Sequence, residues 1–133
     1  MRVIKVLVAL LATVTFFVLL AQTDADYMGW MKSAVASKGK VAKGIAAKDK
    51  GVATDAKVME DSFKGMEDYW TKKGVADATG FAKTARTASA DAAKAIAAGD
   101  FDAANAAMTT VGGTCGGCHM AHRAKGDSGF QIK

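Results

Sequence analysis

The chain has 133 residues with no proline, 28 alanines, two cysteines and a formal net charge of +5. A chain of this length forms one domain, with or without a targeting segment, and two cysteines exclude a disulfide framework. The mild positive charge excludes a typical nucleic-acid-binding protein, and 50% hydrophobic residues exclude a disordered chain. Because alanine is the best helix former, the composition predicts an all-α protein.

Residues 1–25 have the organisation of an export signal. A positively charged start precedes an uncharged apolar run over residues 6–21, and polar residues follow. This order is typical of a secretory signal peptide, and the run is shorter than the ~20 residues of a membrane-spanning helix. Small Thr23 and Ala25 favour cleavage after Ala25 over cleavage after Ala21, with an uncleaved membrane anchor as the alternative. Either outcome predicts a domain in the bacterial periplasm.

The rest of the chain divides into four segments with helical periodicity. Their approximate bounds are 25–47, 51–72 and 75–98, with a fourth segment that begins at Asp100. Apolar residues recur at steps of three and four, and no segment shows sustained two-residue alternation. The pattern predicts an antiparallel up-down four-helix bundle over residues 26–124, with a polar tail at 125–133.

The predicted inward faces of these helices are narrow. On the first segment the face consists of Met28, Met31, Val35, Ala42 and Ile45 or Ala46. The second segment carries a regular seam of Val52, Ala56, Met59, Phe63, Met66 and Trp70. The third segment offers mostly alanine methyl groups, which bury little apolar area. The core of such a bundle is thin, and we expect something else to fill its centre.

The sequence Cys115-Gly116-Gly117-Cys118-His119 is the attachment motif for c-type haem. Residues three apart share a helix face, so both thiols can reach the two vinyl groups of one porphyrin edge. His119 follows on the same face and can bind the iron. Gly112, Gly113, Gly116 and Gly117 would let a flat macrocycle lie against the backbone. The motif predicts one covalent haem c on Cys115 and Cys118, with His119 as the proximal ligand.

Three other uses of this motif are weaker. A thioredoxin-like redox pair begins a helix after a strand, and no strand is predicted before Cys115. A zinc site built from Cys115, Cys118, His119 and His122 would have all its ligands on one face of one helix, whereas a tetrahedral ion needs several directions. A plain disulfide between the two cysteines would leave His119 without a role.

The segment CGGCHMAHR, from Cys115 to Arg123, resembles the C-terminal pattern of the class II cytochromes c, which comprise the cytochromes c′ and their low-spin relatives. The resemblance extends over most of the chain after the export signal, including Gly99-Asp100 before the last helix. His122 departs from it, because the family usually has tyrosine or phenylalanine there. The link between the second and third helices is also shorter than in the family.

The resemblance implies a second iron ligand on the first helix. Methionine-ligated relatives supply it from a segment similar to Trp30-Met31-Lys32, with a glycine eight residues after the methionine, as at Gly39. Met31 is therefore the implied distal ligand, with Met28 as the runner-up, and Arg123 is implied to lie near the haem propionates. On a helical stripe, however, methionine more commonly fills a core.

Iron with two protein ligands is suited to passing electrons, whereas iron with one can bind a gas. We therefore expect a one-electron carrier and not an enzyme. The alternatives are a five-coordinate cytochrome c′ that binds nitric oxide and a haem-free CxxC thiol protein. The expected partners are periplasmic or membrane redox proteins, and the resemblance also implies a homodimer. A lysine cluster on the first segment is either a solvated helix face or a docking surface for an acidic partner: Lys32, Lys38, Lys40, Lys43, Lys48 and Lys50.

Overall fold

The computed structural model describes residues 22–133, so the predicted apolar run of the export signal lies outside the described residues. The helices are α1 (Asp24–Ala46), α2 (Ala53–Lys73), α3 (Ala76–Ala98) and α4 (Phe101–His122), with a 3-10 turn at Lys50–Val52 between α1 and α2. A two-stranded hairpin follows, formed by β1 (Arg123–Gly126) and β2 (Gly129–Ile132). Over residues 22–133, no helix combines the length and the apolar character needed to cross a bilayer. The prediction of a mostly helical protein with four helices is confirmed.

The helices begin and end where the local sequence can satisfy their free backbone groups. Thr23 and Asp26 form a capping box at the start of α1, each side chain accepting a hydrogen bond from the other's backbone N–H. Gly99 ends α3 in the left-handed conformation at a φ of 78°, which glycine adopts without strain. Asp100 then accepts a hydrogen bond from the Ala103 N–H at 2.9 Å and starts α4. The predicted helix boundary at residues 99–100 is therefore confirmed.

The core lies between α2 and its neighbours. Consecutive helices pack against each other, whereas α1 and α4 touch only sparsely. Every residue of the predicted α2 seam is buried: Val52, Ala56, Met59, Phe63, Met66 and Trp70. α3 contributes mostly small side chains to this core, so the thin core predicted for this helix is confirmed. The α2 seam is used inside the chain and is not left exposed for a second copy.

The predicted inward face of α1 is correct only in part. Met28, Met31 and Ile45 are partly buried and pack against the core, whereas Val35 is 61% exposed and Ala42 is exposed. The fully buried residues lie beside the predicted stripe: Tyr27, Ala34, Ser37, Val41 and Gly44. Three of these five are small and allow a close approach, which the prediction did not consider. At Gly44, an added Cβ would lie 2.3 Å from a methyl carbon of Val52. No side chain larger than glycine fits there without a shift.

The C-terminal segment differs from the predicted polar tail. β1 and β2 pair antiparallel from Arg123 opposite Ile132 to Gly126 opposite Gly129. The backbone N–H of Lys133 donates a hydrogen bond to the carbonyl oxygen of His122 at 3.0 Å. Ile132 is partly buried and packs against the helical core. The pairing and this one apolar anchor fold the end of the chain back onto the last turn of α4.

Candidate haem site

The CxxCH motif lies in the last two turns of α4. Cys115, Cys118 and His119 are partly buried, and both cysteines are free thiols. Burial raises the pKa of both thiols above the ordinary value. At pH 7 both are therefore protonated, because the low-dielectric surroundings disfavour the thiolate.

Two cavities meet at this motif. The first, of about 120 Å³, lies between α1, the end of α4 and the hairpin. The second, of about 20 Å³, reaches inward between α2 and α3, where aromatic and methionine side chains surround it. The same four residues line both cavities: Tyr27, Met31, Cys118 and His119.

The structure brings together four of the predicted site residues. Met31 comes from α1, opposite Cys118 and His119 on α4, while Cys115 lines the second cavity. Met28 lines only the first cavity. The donor set is thus two thiols one helical turn apart, an imidazole and a thioether on a facing helix. The remaining walls are largely apolar, so the types of donor and wall residue present are those that a c-type haem would use.

His119 has the protonation state that iron ligation requires. Burial, and secondly the nearby charge of Arg123, lower the pKa of the His119 imidazole. The ring is therefore neutral at pH 7, which leaves a nitrogen lone pair available for a metal. Nη1 of Arg123 lies 3.5 Å from Nδ1 of His119. Because an arginine N–H can only donate, this contact requires the lone pair of the neutral ring on Nδ1 and its proton on Nε2. Iron ligation through Nε2 would therefore require the other tautomer and the loss of this contact.

Arg123, the first residue of β1, points toward β2. The carbon of its guanidinium lies 3.8 Å from the centroid of the Phe130 ring, a cation–π geometry. Arg123 is exposed and lines the first cavity. Its predicted role at the haem propionates stays a prediction.

His122 is held by a contact that sequence reasoning missed. Its Nε2 lies 2.8 Å from an Asp77 carboxylate oxygen, and its ring centroid lies 5.1 Å from that of Trp70. The hydrogen bond from His122 is the main cause of the lowered pKa of Asp77. His122 also lines the first cavity. His122 therefore forms part of the cavity wall and is linked to α3 by its contact with Asp77.

Tyr27 is the site residue that the sequence reasoning overlooked. Its hydroxyl oxygen accepts a hydrogen bond from the Trp70 Nε1–H at 3.2 Å, and burial raises the pKa of Tyr27 to about 12. The Tyr27 ring centroid lies 4.8 Å from that of Tyr69. The available signal was its position four residues before Met31, which places both on one face of α1.

Trp30 does not line either of these cavities. Its indole lies across α2 at Gly65, where an added Cβ would stand 2.5 Å from Cε2 of the ring. Of the glycines predicted to face a macrocycle, Gly117 is in close contact, because a Cβ there would lie 2.8 Å from the Phe81 ring. A Cβ at Gly112, Gly113 or Gly116 would meet no other atom within 4 Å.

Comparisons with known proteins give no match to this chain among family models, curated proteins or solved structures. Across residues 22–133, no group of three or more histidine, cysteine, aspartate or glutamate side chains is arranged to hold a metal ion.

Proposed function

We propose that this chain is an exported mono-haem c-type cytochrome that carries one electron at a time, built as an antiparallel up-down four-helix bundle. One observation supports the proposal above all others. Met31 of α1 and His119 of α4 line the same two cavities as the thiol of Cys118. A thioether and an imidazole on facing helices are a ligand pair used by electron-transfer haems.

Each residue has a defined task in this proposal. Cys115 and Cys118 would hold haem c through two thioether bonds, and His119 of α4 and Met31 of α1 would bind its iron. The haem supplies a redox-active iron when it is bound. The aromatic and aliphatic walls exclude water, and together with the thioether ligand they favour the ferrous state and raise the potential.

The thiol chemistry argues against a haem-free redox protein. Catalytic CxxC cysteines have lowered pKa values, because the thiolate is the attacking species. Here burial raises the pKa of both Cys115 and Cys118. Thiols with raised pKa values are slow nucleophiles. This property suits cysteines that react only once, when a cofactor is attached to them.

The test is an absorption spectrum of the protein expressed with haem-maturation machinery. We expect a Soret band that survives acid–acetone extraction, and a low-spin ferric spectrum with a weak band near 695 nm. The Met31→Ala variant should become high-spin, while the matched control Met28→Ala stays low-spin. A protein without a Soret band contradicts the proposal. A high-spin wild-type protein would instead support a five-coordinate cytochrome that binds nitric oxide.

We further propose that the export signal is cleaved after Ala21. Thr23 caps α1, and the carboxylate of Asp24 accepts a hydrogen bond from the Tyr69 hydroxyl and lies 3.5 Å from Nζ of Lys73. Cleavage after Ala25 would remove both residues from the fold. The intact mass of the periplasmic protein distinguishes the two sites.

The proposed partners are periplasmic or membrane redox proteins with acidic docking surfaces. Lys32 and Lys43 are exposed on α1, and Lys40 pairs with Asp55 of α2 at 3.2 Å. Charge steering of this kind weakens with salt. The rate of electron transfer to such a partner should therefore fall as ionic strength rises. The implied homodimer stays a prediction, which sedimentation velocity tests.

A further inference from the structure

The C-terminal hairpin forms part of the first cavity. Phe130, Gln131 and Ile132 of β2 line it together with His119 and Met31. The hairpin therefore lies over the residues proposed to bind the iron. Neither the CxxCH motif nor the methionine spacing requires such an element.

Two contacts hold the hairpin in this position. The Lys133 N–H donates to the His122 carbonyl oxygen at 3.0 Å, and Ile132 is partly buried against the helical core. Within the hairpin, the Arg123 guanidinium lies over the Phe130 ring and joins the two strands. The two contacts with the helices are a backbone hydrogen bond and an apolar contact, so they do not depend on an ion pair that salt would weaken.

The two cysteines differ in their relation to the hairpin. Cys118 lines the first cavity, which the hairpin helps to close, as well as the second. Cys115 lines only the second cavity, where no hairpin residue is present. Cys115 is therefore an internal control for any change in the access of reagents past the hairpin.

We propose that the hairpin Arg123–Ile132 is a wall of the site that restricts the access of water and small exogenous ligands to the iron-binding residues. The claim that the hairpin keeps small ligands from the iron rests on the proposed cytochrome function. The claim that the hairpin keeps water and small reagents out of the cavity does not. Phe130 and Ile132 are the residues that determine this exclusion. They contribute apolar surface at the cavity wall and are not iron ligands.

The first experiment needs no haem. The full chain is purified with free thiols and treated with iodoacetamide, and the modification rates of Cys115 and Cys118 are measured by peptide mass spectrometry. The variant is Phe130→Ala/Ile132→Ala, and the matched control is Ser128→Ala in the exposed turn of the same hairpin. We expect the double variant to modify Cys118 at least fivefold faster, with Cys115 changed less than twofold. The control should match the wild type.

Other outcomes of this experiment overturn the proposal. Equal rates at Cys118 in the double variant and the wild type would show that the hairpin does not restrict access. An equal acceleration at both cysteines, with loss of the helical circular dichroism signal, would show a general role in stability. The single variant Phe130→Ala guards against misfolding, since Phe130 is 56% exposed, and it should give an intermediate acceleration at Cys118 alone.

The second experiment uses the haem-loaded protein and imidazole as the probe. We expect imidazole to bind the double variant at least tenfold more tightly than the wild type, as measured by the shift of the Soret band. Unchanged affinity would overturn the proposed exclusion of ligands from iron. If no haem is incorporated at all, the proposed cytochrome function is contradicted. The alkylation rates of Cys118 still test whether the hairpin restricts access to the cavity.

Discussion

Gly65 sets how closely α1 approaches α2 next to the candidate ligand Met31. The Trp30 indole lies directly over Gly65, and a Cβ added there would lie 2.5, 2.7 and 2.9 Å from three ring atoms. Ordinary contacts of a Cβ begin at about 3.4 Å, so the indole would have to move by nearly 1 Å. The change Gly65→Ala is therefore an overpacking substitution at the α1–α2 interface.

The magnitude follows from two opposing effects. Inserting a methyl group into a packed site costs about 1–3 kcal/mol. Alanine in a helix is favoured over glycine by about 1 kcal/mol. The net effect of Gly65→Ala is a loss of up to about 2 kcal/mol. Because Trp30 is followed directly by Met31, the displaced indole also moves the candidate distal ligand.

Gly29→Ala is the matched control. Gly29 lies beside Trp30 on α1, and a Cβ there would meet no other atom within 4 Å. Only the helix-propensity effect applies, so we expect a gain of up to about 1 kcal/mol. The two variants should differ by about 1–3 kcal/mol, or at least ~4 °C in melting temperature for a domain of this size.

The assay is thermal unfolding of the full chain followed by circular dichroism, with both variants and the wild type in the same buffer. In the haem-loaded protein, the 695 nm band should weaken in Gly65→Ala and stay unchanged in Gly29→Ala. A Gly65→Ala protein as stable as Gly29→Ala, with an intact 695 nm band, would refute the packing described for Trp30.

Three further predictions concern single contacts. Tyr27→Phe removes the acceptor of the buried Trp70 Nε1–H, so we expect a loss of about 1–3 kcal/mol in urea unfolding, and no loss would contradict that hydrogen bond. Gly99→Ala places a Cβ at a φ of 78°, and urea unfolding should show a cost of about 1 kcal/mol. The hydrogen bond from Tyr69 is the main cause of the lowered pKa of Asp24, which lies below the ordinary 3.8. The Asp24 carboxylate therefore stabilises the fold above about pH 4, and this stabilisation is lost as the pH falls through the folded pKa. The Asp24→Asn variant lacks this titration, so its melting temperature should fall less between about pH 5 and pH 3 than that of the wild type.

The helices were predictable where large apolar residues and capping signals coincide. α2 carries a methionine or an aromatic residue at most of its inward positions. The spacing of its buried residues could therefore be predicted from the sequence, and the structure confirms it. The face of α1 was predicted only in part, because its buried side also depends on close approaches at Gly44 and on the Trp30–Gly65 contact. Such contacts depend on the partner helix and leave no periodic signal in the sequence of α1 itself.

The site was predictable only in its local part. Cys115, Cys118 and His119 form one contiguous motif whose spacing is set by the helix alone. Tyr27 belongs to the site because of its hydrogen bond to Trp70 on another helix. The hairpin was missed because its strands have only four residues each and most of their side chains are exposed, so any alternation is too short to stand out in the sequence.

The candidate site joins the two ends of the described chain. Tyr27 and Met31 lie near the start of α1, while His119 lies in α4 and Ile132 in β2. Contacts so distant in sequence carry a large loop-closure entropy. The α2–α3 core does not include the hairpin, so helical content reports on the bundle and not on the cavity. A variant can therefore keep its helical circular dichroism signal and still have an open site.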